Sequence, residues 1–306
     1  MPLLHKNRLL PQTEVTLSLA REFYQNIAKL PIISPHGHCD PSWFSENKRF
    51  PDPAQLFVVP DHYVFRMLVS QGFTLSELGV NSVDGNKFEK DPREIWKKFS
   101  ENYYLFRGTP TAMWLDFSFE NVFGITEPLT PANSDLYYKH IEEKLSQPEY
   151  LPRALFDRFN IEVLSTTDSA ISDLNQHTDL KNSNWDGRVI PTYRPDSVVD
   201  PESPDFKNNL VKLGELANED TNSWDGYLKA HRSRRFFFKE MGATASDHGH
   251  PSARTENLSH HEAERLYKRI LAEEFNSEEA DKFRGQMLTE MAKMSCEDGL
   301  VMQIHP

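Results

Sequence analysis

Apolar residues recur at a four-residue step between Thr13 and Lys29, where Val15, Leu19, Phe23 and Ile27 fall on one face of a predicted amphipathic helix. Pro31 ends that pattern, and the run IIS (Ile32 to Ser34) leads extended chain into PHGHCDP (Pro35 to Pro41). From Trp43 to about Tyr150 the spacing is helical, rich in aromatics and interrupted by loops such as NKRFPDP and GITEPLTPANSD. Past Pro152 come short apolar runs that each close on polar residues: IEVLSTTD (Ile161 to Asp168), RVIPTYRPD (Arg188 to Asp196), GATASDHGH (Gly242 to His250) and GLVMQIHP (Gly299 to Pro306). Buried parallel strands followed by loops read this way. Ser259 with Glu262 makes a capping-box pattern, and a helix opening at Ser277 gathers Ala280, Phe283, Met287, Leu288, Met291 and Met294 on its apolar face. RSRRFFFKEMG is expected to be a helix that feeds the ATASDHG strand.

Strand, loop and helix in alternation predict a parallel α/β fold. Polar residues sit at the C-terminal end of every predicted strand, where a TIM-type barrel places its chemistry and where a doubly wound sheet also binds ligands. No phosphate-cradling glycine motif follows these strands, which weighs against a nucleotide site. Three segments follow: 1–42 with the first helix and strand, 43–150 as a helical insertion, and 151–306 with the remaining strands and helices.

Composition narrows the partners. The 306 residues carry a formal charge of -12, from 46 acidic and 34 basic residues, so a polyanion such as nucleic acid meets repulsion. A small anionic substrate can still be held by a few buried arginines. Cys39 and Cys296 give neither a disulfide framework nor a Cys-rich zinc motif, which fits a reducing cytosol, and the cytoplasm is the expected compartment. No run approaches the roughly 18 apolar residues that a membrane span needs, and the first residues lack a signal-peptide layout. A soluble protein with no membrane partner is expected, and a homo-oligomer stays open.

The candidate chemistry lies at strand ends. Residues i and i+2 of extended chain point to one side, so His36 and His38 can aim both imidazoles at one divalent ion, with Zn²⁺ the first choice. The plainer alternative is two loop histidines satisfied by water or backbone. In DHYVFRML, Asp61 reads as an N-cap that places His62, Tyr63 and Arg66 on the first turn, an acid-base group, a phenol and an anion clamp in the making. Packing for Tyr63 and a surface charge for Arg66 are the alternatives. Arg194, between Pro191 and Pro195, is a candidate bidentate partner for a carboxylate, or else pairs with Asp196. Asp247, His248, His250 and His305 stand at the last two strand ends, while His5, His140, His177, His260 and His261 read as solvated surface.

Taken in order and spacing, PHGHCDP, DHYVFRML, FRGTPTAMWLDFSFENVFGI, STTD, IPTYRPD, ATASDHG and GLVMQIHP resemble the uronate isomerase (glucuronate isomerase) family of the amidohydrolase superfamily, from about Leu9 onward. The resemblance implies a distorted (β/α)8 TIM-type barrel with a helical insertion after the first strand. It implies an aldose–ketose isomerase that interconverts D-glucuronate and D-fructuronate, and D-galacturonate and D-tagaturonate, in sugar-acid catabolism. His36 and His38 match its metal pair, His62 and Tyr63 residues near the reacting end of the sugar, and Arg194 its carboxylate clamp, with Arg66, His248 and His305 as further substrate contacts. Ser34 departs from the acidic residue that many members carry two positions before the first histidine. Members are also longer, so the resemblance implies a chain shortened at its C-terminus that lacks the last barrel strand and its aspartate. A metal-dependent hydrolase of the same superfamily, which has no evident need of Arg194 or the His62–Tyr63 pair, and an inactive remnant that binds sugar acids or a partner are the competing readings.

Overall fold

The computed structural model describes residues 2–82, 85 and 87–305. Met1, Val83, Asp84, Asn86 and Pro306 lie outside the described residues, so the predicted GLVMQIHP run is described to His305. The chain divides into two compact units, Met1–Leu30 with Asn47–Arg158, and Pro31–Glu46 with Phe159–Pro306.

The second unit is built on parallel strands: β1 (Ile32–Ser34), β2 (Ile161–Ser165), β3 (Asp168–Ser169), β4 (Arg188–Ile190), β5 (Tyr193–Arg194), β6 (Ala245–His248) and β7 (Val301–Ile304). They pair as β1-β2-β4 and β3-β5-β6-β7. The ladder nevertheless runs on across the gaps, because Thr166 N donates to Ile190 O (2.9 Å), Asp168 N to Thr192 O (3.0 Å) and Ala170 N to Arg194 O (2.8 Å). β2 with β3, and β4 with β5, are therefore two long interrupted strands. The result is one parallel arc in sequential order, the strand arrangement of a (β/α)8 barrel. Each predicted apolar run supplies one of its members. β1 and β7 are its edges, and Ile33 and Val301 on them are 62% and 66% exposed.

Helices join the strands and cover the outer face: Asn175–Lys181, then Phe206–Ala217 and Trp224–Glu240, then His260–Leu271 and Ser277–Asp298. Ser259 and Glu262 form the expected capping box, and Asn276 with Glu279 forms a second one at the start of the 22-residue helix. That helix buries the predicted face from Ala280 to Met294, which packs with Tyr227, Phe238 and Tyr267 into the unit's core. Fully buried Arg235 is held by Asp298 through Nε and Nη2, at 2.6 and 2.9 Å.

The first unit is helical. Its core gathers Trp96, Phe99, Phe106, Phe119 and Tyr138, with Trp96 Nε1 donating to Ser134 O at 3.1 Å. The predicted first helix forms at Glu14–Ile27, yet Val15, Leu19, Phe23 and Ile27 remain 49–74% exposed. Periodicity therefore gave the helix but not a covering for its face.

One histidine expected on the surface is not there: His177 is buried, its Nε2 2.9 Å from Thr166 Oγ1, while His140 is half-buried and its Nε2 donates to Phe123 O at 2.7 Å. His260, as expected, stands in solvent beside Asp225. A fourth, His231, is fully buried with Nδ1 2.7 Å from the Tyr193 hydroxyl, and burial, then the charges of Arg235 and Arg232, push its pKa down from 6.5 to about 3. The unfolded chain thus takes up a proton between those values that the folded chain refuses. The stability owed to neutral His231 is complete above about pH 6.5 and is lost as pH falls, by up to about 1.4 kcal/mol per pH unit. Urea unfolding at pH 7 and pH 5 should show a lower unfolding free energy at pH 5 and a shallower pH slope in His231→Gln; equal slopes in the two proteins would contradict this.

Candidate metal and anion site

Strand parity decides which side chains share the mouth of the arc. Tyr193 pairs in register with Ser246, and both face the helices: the tyrosine hydroxyl meets His231, and Ser246 Oγ lies 3.0 Å from His248 Nε2. Their neighbours Arg194 and Asp247 point the other way. Asp247 is in register with Gln303, so Asp247, Gln303 and, two residues on, His305 line one side.

His36 and His38 follow β1. Gly37 between them is a close-approach position, because a Cβ there would stand 2.8 Å from Ser165 O, and Thr167 Oγ1 donates to Gly37 O at 2.8 Å. This contact holds the turn against β2. The two Nε2 atoms come to 3.1 Å, close to the roughly 3.3 Å that two imidazoles on one tetrahedral ion require at bond lengths of about 2.0–2.1 Å. The pKa of His38 is lowered by burial first, then by His36 and Arg194.

Asp247 is the hub. Its carboxylate is wholly buried, with Oδ1 2.6 Å from His305 Nε2 and 3.7 Å from His36 Nδ1, and Oδ2 3.3 Å from Arg194 Nη1. Neither oxygen has a partner with hydrogen-bond alignment, so a buried anion is left with lone pairs to offer. His36, Asp247 and His305 present ligand atoms that all lie within 4.8 Å of one another. Two imidazoles and a carboxylate are a donor set that suits a divalent cation.

Arg194 is fixed on its other side by Asp196, whose Oδ2 accepts from Nε at 2.6 Å and whose Oδ1 accepts from Gly249 N at 3.1 Å. Gly249 must lack a side chain, since a Cβ would sit 2.8 Å from Asp196 Oδ2. The guanidinium is thereby oriented by two carboxylates while its side chain stays 28% accessible. Such an arrangement leaves N–H donors for a carboxylate ligand.

The remaining sequence candidates fall elsewhere. His248 is fully buried on the helix side of β6, and burial, then His250 and Arg235 among others, lowers its pKa to about 3. Two consecutive strand residues cannot both face the mouth, which is why Asp247 and not His248 lines it. His305, expected as a substrate contact, joins the metal-competent cluster. His62, Tyr63 and Arg66 belong to the helical unit, on helix His62–Val69, whose N-cap Asp61 accepts from Tyr63 N at 2.8 Å. There the His62 ring lies tilted against Tyr63 (centroids 4.1 Å apart, planes at 35°), and Arg66 lies 5.1 Å over the Tyr63 ring.

A parallel barrel-type sheet whose strand ends gather imidazoles, a buried carboxylate and a fixed arginine places the protein in the α/β-barrel class. The sequence pattern of the family described as glucuronate isomerase matches residues 2–306, and the chain belongs to that family. It is 55% identical to the uronate isomerase of Rhizobium meliloti (strain 1021) over 304 residues, 99% of this chain and 65% of that protein. Relative to the uronate isomerase of Xanthomonas euvesicatoria pv. vesicatoria (strain 85-10) it is 52% identical, with 99% and 64% covered. The crystal structure of glucuronate isomerase from Caulobacter crescentus superposes with a TM-score of 0.95 at 50% identity, covering 100% of this chain and 64% of that one. The chain thus spans about two thirds of the length of the relatives it matches.

Because Asp247 ties the imidazoles to the guanidinium, Asp247→Asn should weaken Zn²⁺ binding about 10–100-fold. Equilibrium dialysis with elemental analysis on folded protein checks this, and unchanged affinity would remove Asp247 from the centre.

Proposed function

We propose that the chain acts as an aldose–ketose isomerase on uronates, interconverting D-glucuronate and D-fructuronate, and D-galacturonate and D-tagaturonate. The observation that carries the proposal is the buried Asp247 carboxylate, 3.3 Å from the Arg194 guanidinium on one side and 2.6 Å from His305 on the other. A metal-competent cluster and a carboxylate clamp are thereby neighbours, as a substrate with a reacting carbonyl and a distant carboxylate requires.

Moving a proton from C2 to C1 through an enediol needs a base, a donor at the carbonyl oxygen and a means of holding the substrate still. His36 and His38, with Asp247 and His305 beside them, would hold a divalent ion, for which Zn²⁺ fits the nitrogen and oxygen donors. Held there, a divalent ion would supply Lewis-acid polarisation of the oxygen at the reacting end. Arg194 binds the uronate carboxylate through the N–H groups that Asp196 and Asp247 leave free, and orientation by those acids fixes the distance to the reacting carbons. His62, Tyr63 and Arg66 keep, in this proposal, the proton-transfer, oxygen-donor and anion-contact roles that the resemblance to the family implies. Small-molecule chemistry of this kind fits the strongly acidic composition, and a soluble cytoplasmic enzyme is the corresponding setting. Among the described residues no helix is long and apolar enough to cross a membrane.

The test is isomerisation of D-glucuronate with Zn²⁺ supplied, on this chain and on the longest product its gene encodes. Turnover by either supports the proposal; none by both, in protein that is folded and metal-loaded, ends it. Arg194→Met should cost about 1.5–3 kcal/mol in kcat/KM for D-glucuronate, the worth of hydrogen bonds to a charged group, while leaving the binding of an uncharged aldose nearly unchanged. Equal losses for both ligands would remove the clamp.

A further inference from the structure

Gln303 joins two places that are 268 positions apart in the chain. It lies on β7, and its side chain crosses the mouth of the arc to the segment that follows β1. There Nε2 donates to Pro35 O at 2.7 Å and Oε1 lies 3.1 Å from His36 Nδ1. The first contact fixes the amide: a carbonyl oxygen only accepts, so the NH₂ end must face Pro35 and the oxygen must face the imidazole. An amide oxygen also only accepts, so His36 Nδ1 must carry the proton. The other group near Nδ1 is Asp247 Oδ1 at 3.7 Å, beyond hydrogen-bond reach and likewise an acceptor. In the neutral ring, the form that binds a metal, the bare nitrogen of His36 is then Nε2, the atom that faces His38 Nε2 at 3.1 Å.

We propose that Gln303 is a positioning residue for the metal centre: by clamping Pro35 O and His36 Nδ1 together it sets the His36 tautomer, so that the ring offers Nε2, and not Nδ1, to a divalent ion. This rests on the metal centre of the proposed function, with Gln303 assigned a role outside the ligand set. A neutral amide does here what a carboxylate or backbone carbonyl does behind many metal-bound histidines. The register that puts Gln303 beside Asp247 places the clamp and the buried anion on adjacent strands.

The test uses the whole 306-residue chain, labelled with ¹⁵N-histidine and free of metal. A two-dimensional ¹H–¹⁵N multiple-bond spectrum reads the tautomer of each ring, with His36 assigned by its disappearance in His36→Gln. The expected result is a protonated Nδ1 and a bare Nε2 in the wild type, mixed tautomers in Gln303→Leu, and return of the Nδ1–H form in Gln303→Glu, which keeps an acceptor. Zn²⁺ titrated against a chromophoric chelator should bind about 10–100-fold more weakly to Gln303→Leu, with most of the loss recovered in Gln303→Glu. A bare Nδ1 on His36 in the wild type overturns the proposal, and so does a folded Gln303→Leu with unchanged tautomer and affinity. If the leucine variant fails to fold, the wild-type spectrum alone decides. Absence of Zn²⁺ binding by the wild type would count against the metal centre, while the tautomer would still decide the role of Gln303.

Discussion

A carboxylate with no exposed surface and no aligned hydrogen bond is expensive to keep charged unless positive groups surround it. Asp247 is such a group, and the site is arranged around it. Arg194 supplies one compensating charge from the neighbouring strand, and His305 and His36 approach from the other side. Remove the carboxylate and the arginine loses one of the two anions that orient it, while the imidazole cluster loses its oxygen donor. The same buried charge therefore joins the guanidinium to the imidazole cluster.

The fold delivers these groups through period-two alternation. In β5 and β6 the residues facing the helices are Tyr193, Ser246 and His248: the Tyr193 hydroxyl reaches His231 on helix Trp224–Glu240, and Ser246 and His248 are bonded to each other. Their immediate neighbours Arg194 and Asp247 are thereby turned toward the mouth. Rigidity on the outer face is what makes the inner face precise in its placement, and it is obtained with buried polar contacts as well as with the apolar core of Tyr227, Tyr267, Phe283 and the methionine-rich helix.

Much of this was legible in the sequence, and the failures have physical causes. Every parallel strand was visible as a short apolar run closing on polar residues, and the convergence of His36 with His38 followed from their spacing. Asp247 was passed over in favour of His248 because a run such as SDHGH shows which residues stand at a strand end but not the phase of alternation; the register with Gln303 supplies it. Gln303 gave no signal at all: its role depends on meeting Pro35 and His36 from across the arc. His177, expected in solvent, carries no local signal of burial; Thr166 and Asp168 draw its ring inward. Helix Glu14–Ile27 shows the converse, a legible stripe whose exposure no periodicity could foretell.

The proposed function turns on one strand-end cluster, in which Asp247 joins the imidazoles of His36 and His305 to the Arg194 guanidinium. The most direct measurement is a crystal of this chain grown with Zn²⁺ and D-glucuronate, with data collected on both sides of the zinc absorption edge. An anomalous peak about 2.0–2.1 Å from His36 Nε2, with the sugar carboxylate against Arg194, is the expected result. A peak at another group, for example the exposed His260 and Asp225, with the cluster around Asp247 lacking anomalous signal, would contradict it.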